Sequence, residues 1–158
     1  MKTLFQRSLL MVLVLLLFTS SSFANLKKGR IGPDETDILE FITSADGITT
    51  ISLIFDKSST DLDLALGLTD STLIAASISP ESNYEQLQVG LVGGITYILA
   101  INHFEGATTS YRVIVNSGEQ QTIFAAGDSG NTPLRKIEPG STGSKLKESL
   151  NRLQRIKK

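Results

Sequence analysis

Two aspartates separated by one residue are the first side chains in this sequence that could do chemistry. Asp61 and Asp63 lie in the run DLDLALGL, in which leucine occupies every second position. In an extended strand such residues lie about 7 Å apart on one face, so they either stay solvated or share a cation. Asp34, Glu35 and Asp37 could add further oxygens, and calcium takes six to eight of them. These five residues are therefore a candidate calcium site. In the alternative interpretation no metal binds: Asp61 ends a loop, Asp63 forms a hydrogen bond with a neighbouring turn, and the other acidic residues are surface charges.

A second motif resembles a hydrolase signature, but its context does not support catalysis. The run GDSG at 127–130 matches the tetrapeptide around the nucleophile of chymotrypsin-like proteases. It lies in a stretch rich in Gly, Ser and Pro, where a serine has no base in a rigid geometry. The chain has one histidine, His103, which follows a predicted strand and is expected at the surface or in a loop. We therefore predict that the protein is not an enzyme.

Four aromatic side chains are candidates for a platform that binds carbohydrate or peptide: Tyr84, Tyr97, Phe104 and Tyr111. Tyr97 and Tyr111 fall in predicted strands, where packing in the core is the expected role. The chain has no cysteine, which excludes disulfides, thiolate catalysis, cysteine metal sites and a lipid anchor at a processed cysteine.

Charge is distributed unevenly along the chain. Residues 34–115 contain twelve acidic and two basic residues, a net charge of −10. Residues 133–158 contain eight basic and two acidic residues, a net charge of +6. An acidic body with a basic tail bears on partners and solubility rather than on fold. Nucleic acid is disfavoured as a partner because the acidic body would repel phosphates.

The N-terminus has the pattern of an export signal at residues 1–24. Lys2 and Arg7 precede an unbroken apolar run of ten residues, Leu9 to Phe18, and small residues follow. Ser22 and Ala24 suit a signal peptidase, which predicts cleavage before Asn25 and a periplasmic or secreted protein. The run is shorter than the roughly 20 residues that span a bilayer, which leaves an uncleaved anchor as the minor alternative. Residues 25–33 are predicted to be a flexible N-terminus.

Short alternating segments with turn residues between them predict an all-β domain at 34–125. Seven strands are expected, at 36–44, 48–55, 61–68, 72–78, 84–91, 95–102 and 110–115, with a possible eighth at 123–125. The spacing leaves no room for helical crossovers. We therefore predict an antiparallel β-sandwich, jelly-roll-like, with a small closed barrel as the alternative.

The C-terminal part is predicted to be a linker at 126–144 followed by a basic amphipathic helix at 145–158. Leu146, Leu150, Leu153 and Ile156 form one helical stripe, and Ser144 can cap the start. A helix of about 14 residues is marginal alone, so the stripe needs a surface to cover it. These four residues are candidate partner-binding residues. The helix could dock on the acidic sandwich, which its charge favours, lie on an anionic membrane, or bind another protein.

Several segments between Asp34 and Val115 resemble the bacterial pre-peptidase C-terminal domain family. The similar segments are DILEF at 37–41, ADG at 45–47, DLDL at 61–64, Glu85 with Leu87, GITYIL at 94–99 and YRVIV at 111–115. Members are β-sandwich modules, related to collagenase collagen-binding domains and usually appended to secreted peptidases. Here no peptidase precedes the segment. The chain also has Ile98 where the family has a second aromatic, and Ala65 where a tyrosine is common.

The resemblance implies a β-sandwich and makes calcium binding through N-terminal acidic residues conceivable, although no cofactor is required. Together with the export signal, it predicts a non-catalytic binding or accessory module that engages a protein or polysaccharide. The alternative function is a structural or assembly component of the cell envelope that acts through its basic C-terminal helix.

Overall fold

Strands account for most of the described chain. The computed structural model describes residues 24–56, 58–79, 84–118, 122–124 and 142–157. Within these residues nine strands are followed by one helix, α1 (Thr142–Lys157). The strands are β1 (Ala24–Ile31), β2 (Thr36–Thr43), β3 (Gly47–Phe55), β4 (Thr60–Leu68), β5 (Leu73–Ser77), β6 (Tyr84–Leu91), β7 (Thr96–Gly106), β8 (Thr109–Asn116) and β9 (Thr122–Phe124). The helix is not long and apolar enough to cross a membrane.

The strands form two antiparallel sheets. Sheet A has the order β1-β8-β3-β6, and sheet B has the order β5-β4-β7-β2-β9. Most successive strands alternate between the two sheets, which gives the jelly-roll order, and β9 extends one edge of sheet B. The predicted antiparallel β-sandwich is therefore confirmed, and the closed barrel is not formed. The strand that the sequence analysis did not predict is β1.

The core lies between the sheets and follows directly from the alternation along the strands. Leu62, Leu64 and Leu66 of β4 are completely buried there. They pack with inward side chains of both sheets, among them Leu39, Phe41, Ile51, Leu53, Leu99, Ile101, Val113 and Val115. Each fully buried aliphatic side chain contributes about 1.5–3 kcal/mol. The leucines of the DLDLALGL run therefore have the structural role that their spacing predicts.

The prediction of a flexible N-terminus at 25–33 is wrong. β1 pairs with β8 along its whole length, from Ala24 opposite Asn116 to Ile31 opposite Thr109. The basic and glycine-containing composition suggested a loop, but lysines are common on edge strands because they discourage pairing with other chains. β1 is such an edge strand of sheet A.

Inward side chains of β1 close one side of the sandwich. A Cβ on Gly29 would lie 2.3 Å from Cζ of Tyr111, so only glycine leaves room for that ring. The Lys27 ammonium lies 5.0 Å from the centre of the Phe124 ring, a cation–π distance. The Asn25 side chain donates a 2.8 Å hydrogen bond to the carbonyl of Thr122. The contacts of Lys27 and Asn25 join the edge of sheet A to β9 of sheet B.

Helix α1 packs on the outer face of sheet B. Leu146 and Leu150 are completely buried there against Ala65, Ile98 and Ala100. Small side chains on β4 and β7 allow this close approach, since a Cβ on Gly67 would lie 2.7 Å from Leu146 Cδ2. Of the three surfaces proposed for the helix, the chain's own sandwich is the one that it contacts.

The helix begins three residues earlier than predicted. It starts at Thr142, so Ser144 lies inside the first turn and is not the N-cap that the sequence suggested. Residues 142–144 of the segment predicted as a linker at 126–144 therefore belong to the helix. Residues 126–141 of that segment, and residues 1–23 of the predicted signal segment at 1–24, lie outside the described residues.

Candidate functional site

The predicted calcium ligands lie on different faces of sheet B. The Asp37 side chain points between the sheets, on the same face of β2 as Leu39 and Phe41, and accepts a 2.6 Å hydrogen bond from the Tyr111 hydroxyl. Burial raises the pKa of the Asp37 carboxyl above its ordinary value of 3.8, although the Tyr111 hydrogen bond acts in the opposite direction. Asp61 and Asp63 alternate with core leucines and so face the other way.

The remaining acidic candidates have structural contacts of their own. Asp63 is 1% exposed and lies opposite Asn102, whose side-chain oxygen accepts a 2.8 Å hydrogen bond from Thr36. Glu35 Oε2 accepts a 2.8 Å hydrogen bond from the Gly32 amide, and the Asp34 carbonyl accepts one from the Lys147 ammonium at 2.6 Å.

Across the described ranges, no three His, Cys, Asp or Glu side chains are placed to hold a metal ion together. The structure therefore does not bring the five predicted ligands into one site. Calcium binding itself stays a prediction.

His103 is buried, contrary to the expectation of a surface or loop position. β7 continues to Gly106, so His103 lies inside the strand, where it is 4% exposed. Its Nε2 atom is 2.9 Å from the Ala107 carbonyl, and its backbone amide donates to the Glu35 carbonyl. The polar segment after the strand suggested an earlier strand end. The GDSG motif at 127–130 lies outside the described residues.

Glu85 is a buried polar residue whose role the sequence analysis did not predict. It is completely buried in β6 of sheet A. Its carboxylate accepts hydrogen bonds from the Ser77 hydroxyl of β5 and, at 2.9 Å, from the Ser79 amide. Glu85 therefore links the two sheets where the chain passes from β5 to β6. Glu85 has the same parity as Leu87 in an alternating strand, and this position on the core-facing side could have predicted its burial.

The predicted partner-binding stripe is largely used inside the chain. Leu146 and Leu150 are buried on sheet B, and Leu153 is half-buried. The side chain of Ile156 is outside the description. The exposed side of the helix carries Lys145, Arg152 and Arg155 instead.

The aromatic candidates divide into buried and exposed residues. Tyr97 and Tyr111 are buried in the core, as predicted, and the Tyr97 hydroxyl bonds to the backbone of Val92. Phe104 is half-buried. Tyr84 on β6 is 53% exposed and is the most exposed aromatic side chain of this group.

The outer face of sheet A, which we call the open face, is formed by outward side chains of its four strands. Helix α1 packs on β4, β7, β2 and β5, all of them in sheet B. Three aliphatic or aromatic side chains of the open face are at least half exposed: Leu26, Ile48 and Tyr84. The remaining outward positions are Lys28, Arg30, Thr50, Ser52, Ile54, Gln86, Gln88, Gly90, Ser110, Arg112, Ile114 and Asn116.

Strand register aligns four side chains of the open face in one row. Lys28 lies opposite Arg112, Arg112 opposite Ile54, and Ile54 opposite Tyr84. In the next row Gln86 Nε2 donates a 3.0 Å hydrogen bond to the Ser52 hydroxyl. The row therefore runs from two cations, across an aliphatic side chain, to an exposed phenol ring.

A depression with a volume of about 490 Å³ lies at the cationic end of this row. The residues that line it are Lys28, Gly29, Ile54, Phe55, Asp56, Ser110, Tyr111 and Arg112, of which Phe55 and Tyr111 are nearly buried. Asp56 accepts hydrogen bonds from the Ser58 hydroxyl and amide at 2.6 Å and 3.1 Å, and these bonds hold the pKa of its carboxyl below the ordinary value of 3.8. The depression therefore combines two cations and one anion with apolar walls.

The open face has a charge opposite to that of the domain as a whole. The charged side chains that point outward from its four strands are Lys28, Arg30 and Arg112, all cationic. Neither Lys28 nor Arg112 forms an ion pair with any other residue that the structure describes. An anionic group that approaches this face therefore displaces no carboxylate of the described residues from either cation.

Comparison with solved structures supports the fold. The chain is similar to the pre-peptidase C-terminal domain of collagenase from Bacillus anthracis, with 19% identity and a TM-score of 0.50 over 59% of this chain and 89% of that one. It is also similar to the Yersinia pseudotuberculosis-derived mitogen, with 15% identity and a TM-score of 0.44 over 60% and 86% of the two chains. A third similar structure is Aeromonas hydrophila PliG, a periplasmic inhibitor of g-type lysozyme, with 13% identity and a TM-score of 0.44 over 66% and 91%.

No family model and no curated protein sequence matches the chain. The first of these structures is a pre-peptidase C-terminal domain, as the sequence resemblance led us to expect, and the chain shares with it a related β-sandwich fold.

Proposed function

We propose that this protein is an exported, non-catalytic binding module and that the open face of sheet A is its binding surface. The observation that supports this proposal is the difference between the two outer faces. Helix α1 covers part of sheet B with buried leucines, whereas the open face presents exposed Leu26, Ile48 and Tyr84 beside two cations that form no ion pair with the described residues. Exposed aromatic and aliphatic groups beside arginine are typical of binding surfaces.

The partner is a protein or a polysaccharide. Export is supported by the signal-like segment at residues 1–24, and a non-catalytic role by the absence of a nucleophile–base pair in the sequence. The fold shared with a collagenase accessory domain is compatible with both statements.

Photo-crosslinking tests this surface. A photoreactive phenylalanine analogue is placed at position 48 or 84 on the open face, or at position 152 on the exposed side of the helix as a control. Products are then compared in envelope and culture fractions. We expect crosslinks at positions 48 and 84 and few at 152. Crosslinks confined to position 152 would contradict the proposal.

The second candidate function is an envelope assembly component that acts through helix α1. The exposed Lys145, Arg152 and Arg155 support it. It is weakened because Leu146 and Leu150 are already buried on sheet B, so the apolar stripe would have to detach before it contacted another molecule. Deleting residues 133–158 separates the two candidates: unchanged partner capture and localisation favour the open face, and their loss favours the helix.

A further inference from the structure

We infer that the row from Lys28 to Tyr84 on the open face binds an acidic polysaccharide, with a sugar carboxylate held between Lys28 and Arg112. This inference rests on the proposed function and adds the chemistry of the partner. It is supported by three features of the described residues: the two neighbouring cations Lys28 and Arg112, the depression beside them, and the aligned row that leads to an exposed aromatic ring.

The two cations are placed to share one anionic group. Lys28 and Arg112 are directly opposite each other in an antiparallel pair, where side chains on one face are about 5 Å apart at Cβ. Charge-assisted hydrogen bonds to a carboxylate are about twice as strong as neutral ones. Arg30 adds a third positive charge on the same strand face. The Asp56 carboxylate, which also lines the depression, accepts a hydrogen bond from Ser58 and can accept another from a ligand hydroxyl.

The depression is suited to a ring-sized unit. Its volume of about 490 Å³ lies within the range of about 300–1,000 Å³ that is usual for small-molecule sites. Ile54 supplies outward aliphatic surface beside the nearly buried Phe55 and Tyr111, while Ser110 supplies a hydroxyl. A sugar has this combination, with an apolar ring face and hydroxyls at its rim.

The row continues as a track for a linear polymer. Four neighbouring strands span about 14 Å between the outer two, at about 4.8 Å per step. A chain that leaves the depression crosses Ile54 and reaches the half-exposed ring of Tyr84, on which a second sugar can stack. Gln86 and Ser52 lie in the next row and offer amide and hydroxyl groups to sugar hydroxyls.

The shape of the cationic row favours a glycan over a folded protein. Lys28, Arg112, Ile54 and Tyr84 lie in one line across the four strands, about 14 Å long. A standard protein interface buries about 800 Å² of accessible surface on each partner, which is far more than one such row provides. A single polysaccharide strand needs only the row.

Affinity electrophoresis tests the inference with the purified chain and four probes. The probes are polygalacturonate, the same polymer fully methyl-esterified, dextran and poly-L-glutamate. We expect retardation by polygalacturonate that weakens with added salt, because salt screens exposed charges. The methyl ester and dextran should have little effect, since they carry no carboxylate. Poly-L-glutamate carries carboxylates without sugar rings and should bind at least tenfold more weakly.

Substitutions locate the site. Lys28→Gln and Arg112→Gln should each weaken polygalacturonate binding about tenfold, and Tyr84→Ala about fivefold. The matched controls are Lys145→Gln and Arg155→Gln, which remove the same charges from the exposed side of the helix and should leave binding unchanged. Arg152 is unsuitable because it is paired with Glu148 at 2.6 Å. Binding is compared only among variants whose melting temperature equals that of the original chain. Because Lys28 lies on an edge strand and is exposed, its variant keeps the test valid if Arg112→Gln fails to fold.

Three results would overturn the inference. One is absence of polygalacturonate binding, and another is equal loss in the control variants, which would indicate general charge attraction. The third is equal or tighter binding of poly-L-glutamate, which would indicate an acidic peptide as partner. If polygalacturonate does not bind but crosslinks at positions 48 and 84 persist, the glycan is wrong and the binding surface stands. If both fail, the proposed function fails as well.

Discussion

The two outer faces of this sandwich have the same origin, an alternating strand pattern, but opposite surroundings. On sheet B the outward positions of β4 and β7 include Ala65, Gly67 and Ala100, and helix α1 lies against them. On sheet A the outward positions include longer side chains such as Lys28 and Arg112, and Ile48 and Tyr84 remain more than half exposed. Small side chains allow a helix to approach closely, whereas a surface of long polar and aliphatic groups suits a partner that binds from solution.

Introducing an aspartate on each outer face should give the largest difference in stability between the two faces. Leu150→Asp places a charge at a completely buried position under the helix, so we expect the helix to undock and the free energy of unfolding to fall by about 3 kcal/mol. Ile48→Asp is the matched change on the open face, where the side chain is 60% exposed, and should cost no more than about 0.5 kcal/mol. Urea unfolding measures both. Equal losses would mean that the faces do not differ as described.

A pair of glycines gives a second, smaller contrast. Gly67→Ala would place a Cβ 2.7 Å from Leu146 and 2.8 Å from the Thr72 carbonyl, so we expect a loss of about 2 kcal/mol from strain. Gly90→Ala on sheet A would meet only Ile48 Cδ1, at 4.0 Å, and should change stability by less than about 0.5 kcal/mol. Thermal melting of both variants checks this. A tolerated Gly67→Ala would show that the helix is not seated closely on β4.

The pH dependence of stability tests whether the Asp37 carboxyl is buried between the two sheets. Its pKa is raised in the folded protein by burial, so its contribution to stability is fully present below the unfolded pKa near 3.8 and is lost as pH rises through the higher folded value. Asp37→Asn cannot ionise and should lose less stability than the original chain as pH rises from about 3 to 7. Unfolding curves across this range provide the measurement.

Asp70→Asn is the control for this titration. Hydrogen bonds to Thr72 hold the pKa of Asp70 below its ordinary value, so its contribution is present above pH 3.8 and is lost as pH falls. The two variants should therefore shift the pH dependence in opposite directions. A shift of the same sign in both would contradict the assignment of Asp37 to the layer between the sheets.

Calcium should give the smallest effect. Asp37 and Asp63 point to opposite faces of sheet B, so one ion cannot bind both. A site built from Asp61 and Asp63 with other oxygens would have fewer carboxylate ligands than the five-residue site, so we expect millimolar calcium to raise the melting temperature only slightly over EDTA. An equal melting temperature in the two conditions would contradict calcium binding.

The strands could be predicted well because the alternation of side chains is a property of each short segment. The candidate calcium site was predicted poorly because the convergence of side chains depends on how distant segments pack together. The alternation in β2 put Leu39 and Phe41 on one face, and Asp37 has the same parity, so its inward direction could have been deduced. That Asp61 and Asp63 face the opposite way depends on which side of each sheet is the core. β1 was missed because lysine and glycine dominate its composition, although its pairing with β8 does not depend on apolar side chains.

The covered face also accounts for two departures from the family resemblance. Ala65 and Ile98, where aromatic residues were expected, both lie in the cluster beneath Leu146 and Leu150. A bulky ring at Ala65 would occupy the space that the helix takes. The sequence signalled this helix by its stripe, but the surface that covers the stripe could be identified only once β4 and β7 were placed side by side.

The position of β1 has a consequence in time. Its partner β8 comes late in the chain, since Ala24 pairs with Asn116 and Ile31 with Thr109. Strand β1 is therefore synthesised before most of the domain and has no pairing partner until β8 has been made. Pairing between segments so distant in the chain slows folding. The charges of Lys27, Lys28 and Arg30 would keep this waiting strand from joining other chains. The open face acquires its cationic row only when the eighth strand arrives to complete it.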